Sequence, residues 1–122
     1  MKNQVIICDL SVLNGRFKYV KNAMLLLNVL INCCTLSTNL LEMNRQDMIE
    51  ALSDGAEHEY TDKSIKMWLT LLAKNGAIKY RMGKHNYKIM LNPRYVFNGT
   101  QDAFDKALET WNKFKSDVEY IG

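Results

Sequence analysis

The sequence has no uninterrupted apolar stretch of the roughly 18 to 20 residues that cross a bilayer. Its longest candidate, Ala23 to Ile31, is broken by Asn28. The expectation is a soluble protein without a membrane partner. The apolar run Val5 to Cys8 behind Lys2 is well under the roughly 7 to 15 residues of a signal-peptide core, which points to the bacterial cytoplasm or nucleoid. Cysteine is scarce too. Cys8, Cys33 and Cys34 are an odd set without CxxC spacing, and adjacent cysteines rarely bridge each other, so free thiols in a reducing compartment are expected.

The motifs of common enzyme chemistry are missing as well. There is no glycine-rich loop ending in Gly-Lys-Ser/Thr, no GxGxxG and no GxSxG, so signatures of nucleotide hydrolysis, dinucleotide binding and the hydrolase nucleophile elbow are absent. Cys33-Cys34 falls late in an apolar helix, where a thiol behaves as a small core hydrophobe rather than a nucleophile. Glu57, His58 and Glu59 are sequence neighbours that would not converge on one ion, and the only other histidine is His85. No enzyme, cofactor or metal is expected.

What is present is charge, unevenly distributed. The 122 residues carry a net charge of only +3. Residues 40–60 hold Glu42, Asp47, Glu50, Asp54, Glu57 and Glu59 against Arg45, a net −5. Residues 61–94 hold Lys63, Lys66, Lys74, Lys79, Arg81, Lys84, Lys88 and Arg94 against Asp62, a net +7. Residues 95–122 return to −2, with Lys106, Lys113 and Lys115 against Asp102, Asp105, Glu109, Asp117 and Glu119. Whole-chain charge conceals this clustering.

Apolar periodicity supplies the elements. Val5 to Val12 reads as a short strand or extended arm ending at Asn14-Gly15, and Phe17 to about Cys34 as a largely buried first helix. Thr35 to Met43 suits a loop plus a short strand. Asn44 then caps a short second helix, with Asp47 facing the first-turn donors. Asp54-Gly55 ends it. Thr61 is placed to cap a third helix, in which Ile65, Trp68, Leu69 and Leu72 form the buried stripe and Asn75-Gly76 marks the end. Ala77 to Met82 and Tyr87 to Leu91 alternate as strands around a Gly83-Lys84-His85-Asn86 tip. Pro93 stops the second strand. Thr100 or Gln101 starts a final helix with the apolar stripe Phe104, Ala107, Leu108, Trp111 and Phe114.

Helix, short strand, helix, turn, helix, hairpin is the order of a winged helix-turn-helix. The fold class expected is therefore α+β, mainly helical, with a hairpin wing and an extra C-terminal helix. One domain spans 1–122, with an N-terminal arm at 1–15, a core at 16–92 and a C-terminal extension at 93–122. Aromatics in the final stripe need cover, either on the first helix or on a second copy in a homodimer.

Duplex DNA presents closely spaced phosphates, and a binding face needs several cations close together to displace condensed counterions. With the stripe packed inward, Lys63, Ser64, Lys66, Met67 and Thr70 are left to enter a major groove, and Lys74 is set for a phosphate. At the wing, Lys79, Arg81, Lys84, His85 and Lys88 would position more than specify. Solvated surface accounts for any one of these lysines; it accounts poorly for the cluster. The acidic stretch 53–60 is an ordinary solvated loop, a lip that excludes wrong DNA registers, or a contact for a basic partner.

The run Tyr87 to Thr100, Tyr-Lys-Ile-Met-Leu-Asn-Pro-Arg-Tyr-Val-Phe-Asn-Gly-Thr, resembles the segment after the wing in RepL-like plasmid replication proteins. Asp62 to Tyr80 is similar to their reader helix and wing entry, so the resemblance extends over about 17–99. It implies recognition of a replication origin on a plasmid, phage or related mobile element, with host replication proteins recruited afterwards. The long acidic connection at 53–60 departs from the usual turn between the two helices. The residues by themselves point to DNA binding only, which a transcriptional regulator would share, and the alternative from another class is a winged-helix protein-interaction module.

Overall fold

The computed structural model describes residues 4–9, 21–53 and 62–118. In chain order these form β1 (Gln4–Cys8), α1 (Lys21–Cys33), β2 (Leu40–Asn44), α2 (Arg45–Ser53), α3 (Asp62–Lys74), β3 (Ile78–Met82), β4 (Asn86–Leu91), β5 (Val96–Thr100) and α4 (Gln101–Lys113). The molecule is α+β, with two small antiparallel sheets, one ordered β2-β4-β3 and the other β1-β5. The Asn14-Gly15 turn, the helix start from Phe17, the Asp54-Gly55 stop, the Thr61 cap and the acidic stretch 54–60 lie outside the described residues.

Local chemistry sets the element ends. The Asn44 side-chain oxygen accepts from the Asp47 backbone N–H at 2.7 Å and caps α2. Thr100 does the same for α4 through the Ala103 N–H at 3.2 Å. α3 stops where Gly76 turns left-handed at φ 77°. The N–H groups of Gly76 and Ala77 then bond the carbonyls of Ala73 and Leu72, each at 3.0 Å, which satisfies the last turn in the Schellman manner.

The alternation of β3 and β4 puts Ile78, Tyr80, Tyr87, Ile89 and Leu91 on one face of the larger sheet. There they are buried with Leu26, Leu27 and Leu30 of α1 and Ile65, Leu69 and Leu72 of α3. The opposite face has its own core, in which Met90 and Phe97 are buried with Ala107 and Trp111 of α4, and Val5, Ile7, Leu40, Phe104 and Phe114 pack around them. The Phe97 and Phe104 rings meet edge to face, 5.1 Å apart. Phe104, Ala107, Trp111 and Phe114 of the last helix's stripe are thus covered within the chain, by the sheets, and Leu108 is half-buried outside that core. Packing on the first helix, one of the two covers expected, is replaced, because β1 and β5 build a second platform.

Two asparagines join these parts. Asn39 is fully buried with a left-handed backbone, φ 62°, which asparagine tolerates better than most residues. Its amide donates to the carbonyls of Leu91 at 3.1 Å and Val96 at 2.8 Å, tying the end of β4 to the start of β5. Asn92 donates to the Gly76 carbonyl at 2.8 Å, and its side-chain oxygen accepts from the Arg94 N–H at 3.0 Å. The Asn92-Pro93 segment is therefore a brace between the exit of α3 and the turn into β5.

Candidate nucleic-acid interface

Because its inner stripe is buried, α3 exposes Lys63, Lys66, Met67 and Lys74. Met67 is 59% exposed, unusual for a methionine with a core available, and lies on the same outer surface as the lysines. Ser64 and Thr70 are half-buried. The Thr70 hydroxyl shares a hydrogen bond of 3.0 Å with the Tyr80 hydroxyl, so it fastens α3 to β3. Met67, Trp68, Thr70, Leu71 and Lys74 line a shallow, mostly apolar groove of about 440 Å³.

The hairpin turns within two residues. The Gly83 N–H bonds the Asn86 carbonyl at 2.8 Å, and a Cβ on Gly83 would meet that same carbonyl oxygen at 3.1 Å, so the close approach favours glycine. Lys84 and His85 form the exposed tip. β3 returns antiparallel alongside α3, with Thr70 and Tyr80 level with each other. At about 1.5 Å per residue, Lys66 and then Lys63 lie one and two turns further toward the end where the hairpin turns.

The fold adds Asn44, Arg45 and Gln46, which the sequence reading left out. β2 ends opposite β4, with Asn44 paired to Asn86, and this sets the start of α2 beside the tip. Asn44, Arg45, Gln46, Lys84 and His85 surround an open groove of about 320 Å³. The Arg45 guanidinium reaches the Met82 sulfur at 3.8 Å. Arg45 is the one cation of the acidic block 40–60, and only the strand register brings it to the basic hairpin.

Lys79, Arg81 and Lys88 face the other side of the sheet. The Lys79 ammonium donates to the Trp111 carbonyl and sits 4.7 Å from the centre of its ring, so it holds α4 down instead of joining the tip. Arg81 and Lys88 are exposed and directly opposite each other on β3 and β4. Among the described residues no group of three His, Cys, Asp or Glu side chains converges as a metal site. No described helix is long and apolar enough to cross a membrane. Burial, and secondarily the neighbouring Cys33, push the Cys34 thiol up to about 12, which keeps it protonated.

Comparison of the chain with protein-family models, with curated proteins and with solved structures gave no match.

Proposed function

We propose that this chain is a double-stranded DNA-binding protein in which residues 21–91 form a winged helix-turn-helix. α3 enters the major groove and the Lys84-His85 tip contacts flanking phosphates. The reading is supported by the element order α1, β2, α2, α3, β3, β4 with β4 central in the sheet. The observation that carries it is an outward helix face bearing Lys63, Lys66 and Met67, followed in the chain by a tight, exposed basic hairpin tip. An α-helix fits the roughly 12 Å width of the major groove; lysines there meet base acceptors and phosphates, and a methionine suits a thymine methyl. Of the original reader set, Thr70 is given up to Tyr80.

The resemblance of 87–100 to RepL-like proteins supports a narrower role, that of an origin-binding replication initiator of a plasmid, phage or related mobile element that works with host replication proteins. A transcriptional regulator would use the same surface. Selection of bound fragments from the source genome separates the two: one iterated locus beside this gene indicates an origin, and scattered promoters indicate a regulator. For the DNA contact itself, Lys66→Ala with Lys84→Ala is expected to weaken duplex binding and lower the salt slope by about one to two, since each lost phosphate contact removes roughly 0.9. An unchanged slope sinks the proposed face.

The apolar groove on α3 favours one other reading, a winged-helix module that binds protein through the same helix. Undetectable duplex affinity at low salt would turn the conclusion to that reading.

A further inference from the structure

The outer face of the hairpin carries a cleft of about 300 Å³ that the α3 surface does not include. Its floor is Leu40 with Arg81 and Lys88, and its wall is the end of α4, with Lys113, Phe114 and Lys115. Among the described residues no carboxylate lines it. Arg81 and Lys88 are register partners on adjacent strands, and directly opposed like charges destabilise an antiparallel pair. On its other side Lys88 has Glu42 as its register partner. Lys113 reaches Glu109 at 3.6 Å, with both side chains largely in solvent, where such a pair is worth little.

The cleft is held in shape by backbone. β3 is an edge strand, and the segment after α4 covers that edge. The Ser116 hydroxyl accepts from the Tyr80 N–H and donates to the Tyr80 carbonyl, both at 3.1 Å. The Asp117 N–H bonds the Tyr80 carbonyl at 2.8 Å, and the Asp117 carboxylate accepts from the Met82 N–H at 2.9 Å. That carboxylate is thus engaged at the strand edge, and Lys115 is fixed beside β3. Lys113 and Lys115 come from a block whose net charge is −2, so charge counted along the sequence hides them.

We propose that this cleft is a second nucleic-acid contact, which takes the phosphodiester backbone of DNA flanking the segment bound by α3 and the hairpin tip. Four cations, from β3, β4, the end of α4 and the segment after it, with no carboxylate among the described lining residues, match a polyanion with closely spaced charges. The apolar patches of Leu40 and Phe114 suit the sugar edges between phosphates. Only the class of ligand rests on the DNA-binding reading above; the site itself stands on the other face of the sheet.

The test measures fluorescence anisotropy of a labelled mixed-sequence 30-base-pair duplex over a salt series. It compares the full chain with K113A/K115A and with K63A/K66A, and checks each variant for an unchanged melting temperature. The expectation for K113A/K115A is an affinity loss of about fivefold at 50 mM salt and a salt slope lower by about two, at roughly 0.9 per phosphate. R81A/K88A should give a loss of similar size. If K63A/K66A weakens binding while K113A/K115A and R81A/K88A leave affinity and slope unchanged, the cleft proposal is overturned and the α3 reading stands. If K63A/K66A has no effect while the cleft variants weaken binding, the α3 reading fails and the cleft is the contact. Wild-type affinity in all three variants overturns both.

Discussion

The two faces of the β2-β4-β3 sheet are made by the same strands and are put to different uses. The inner face is apolar along its length, with Ile78, Tyr80, Tyr87, Ile89 and Leu91 closed under α1 and α3. The outer face changes character partway along. Near the α4 side Met90 is sealed and Leu40 half-covered, while toward the hairpin turn Arg81 and Lys88 are open to solvent. The inner face is specified by a period-2 pattern that each strand carries by itself. The outer face is specified by what a helix many residues downstream covers or leaves bare. Burial on one side of a strand is thus a local property here, and on the other a tertiary one.

Adjacent residues on β4 offer the most direct way to break this comparison. Ile89 and Met90 are both fully buried, on opposite faces. Ile89→Ala is expected to cost about 3 to 4 kcal/mol, near the upper part of the range for buried aliphatic truncation, because helices and sheet fix the walls of the hole. Met90→Ala is expected to cost about 2 to 3 kcal/mol, because α4, which lies over it beside the two-stranded sheet, can settle inward. Urea unfolding of both variants checks the order. If Met90→Ala loses as little as an exposed substitution, the second core is not a tight one.

A smaller effect sharpens the division of the outer face itself. Lys79→Ala removes the contact with the Trp111 ring and the bond to its carbonyl. It should lower stability by about 1 kcal/mol and leave the salt slope of duplex binding unchanged. Lys84→Ala should do the reverse, since its side chain is exposed at the tip. A Lys79 variant that lost DNA affinity without losing stability would return Lys79 to the interface.

The inner face was legible for physical reasons. Helix stripes, caps at Asn44 and Thr100, and the Asn75-Gly76 stop are local signals that tertiary packing did not override. The second sheet was not legible. Val96 to Thr100 includes Asn98 and Gly99, poor strand formers, directly after a proline turn, and it becomes a strand because β1 arrives to pair with it, Val5 opposite Gly99 and Ile7 opposite Phe97. Without that sheet in view, the C-terminal stripe had no platform except the first helix or another copy. The candidate site divided the same way. Lys63, Lys66 and Lys84 follow from the helix stripe and the hairpin turn. The capture of Thr70 by Tyr80 and of Lys79 by Trp111, and the arrival of Arg45, Lys113 and Lys115, depend on register between distant segments.

The smallest expected effect concerns the thiols at the end of α1, where the same contrast between covered and uncovered surface sets reactivity. Cys8 and Cys33 are exposed, whereas Cys34 is half-buried, and its sulfur donates to the Leu40 carbonyl at 3.7 Å and the Thr35 carbonyl at 3.6 Å. Burial first, and Cys33 second, raise its pKa from 9.0 to about 12. At pH 8 a maleimide should therefore modify Cys8 and Cys33 readily and Cys34 only after denaturation, because the thiolate is the nucleophile. The sign for stability follows from the same shift. Below pH 9 the thiol is protonated in both states and contributes no pH dependence. As pH rises from 9 toward 12 the unfolded chain releases this proton and the folded chain retains it, so folding stability falls across that window. Cys34→Ser should restore part of the alkaline stability relative to neutral pH. Equal labelling of all three thiols in the native protein would show that α1 and the Thr35 to Leu40 turn do not shield this sulfur.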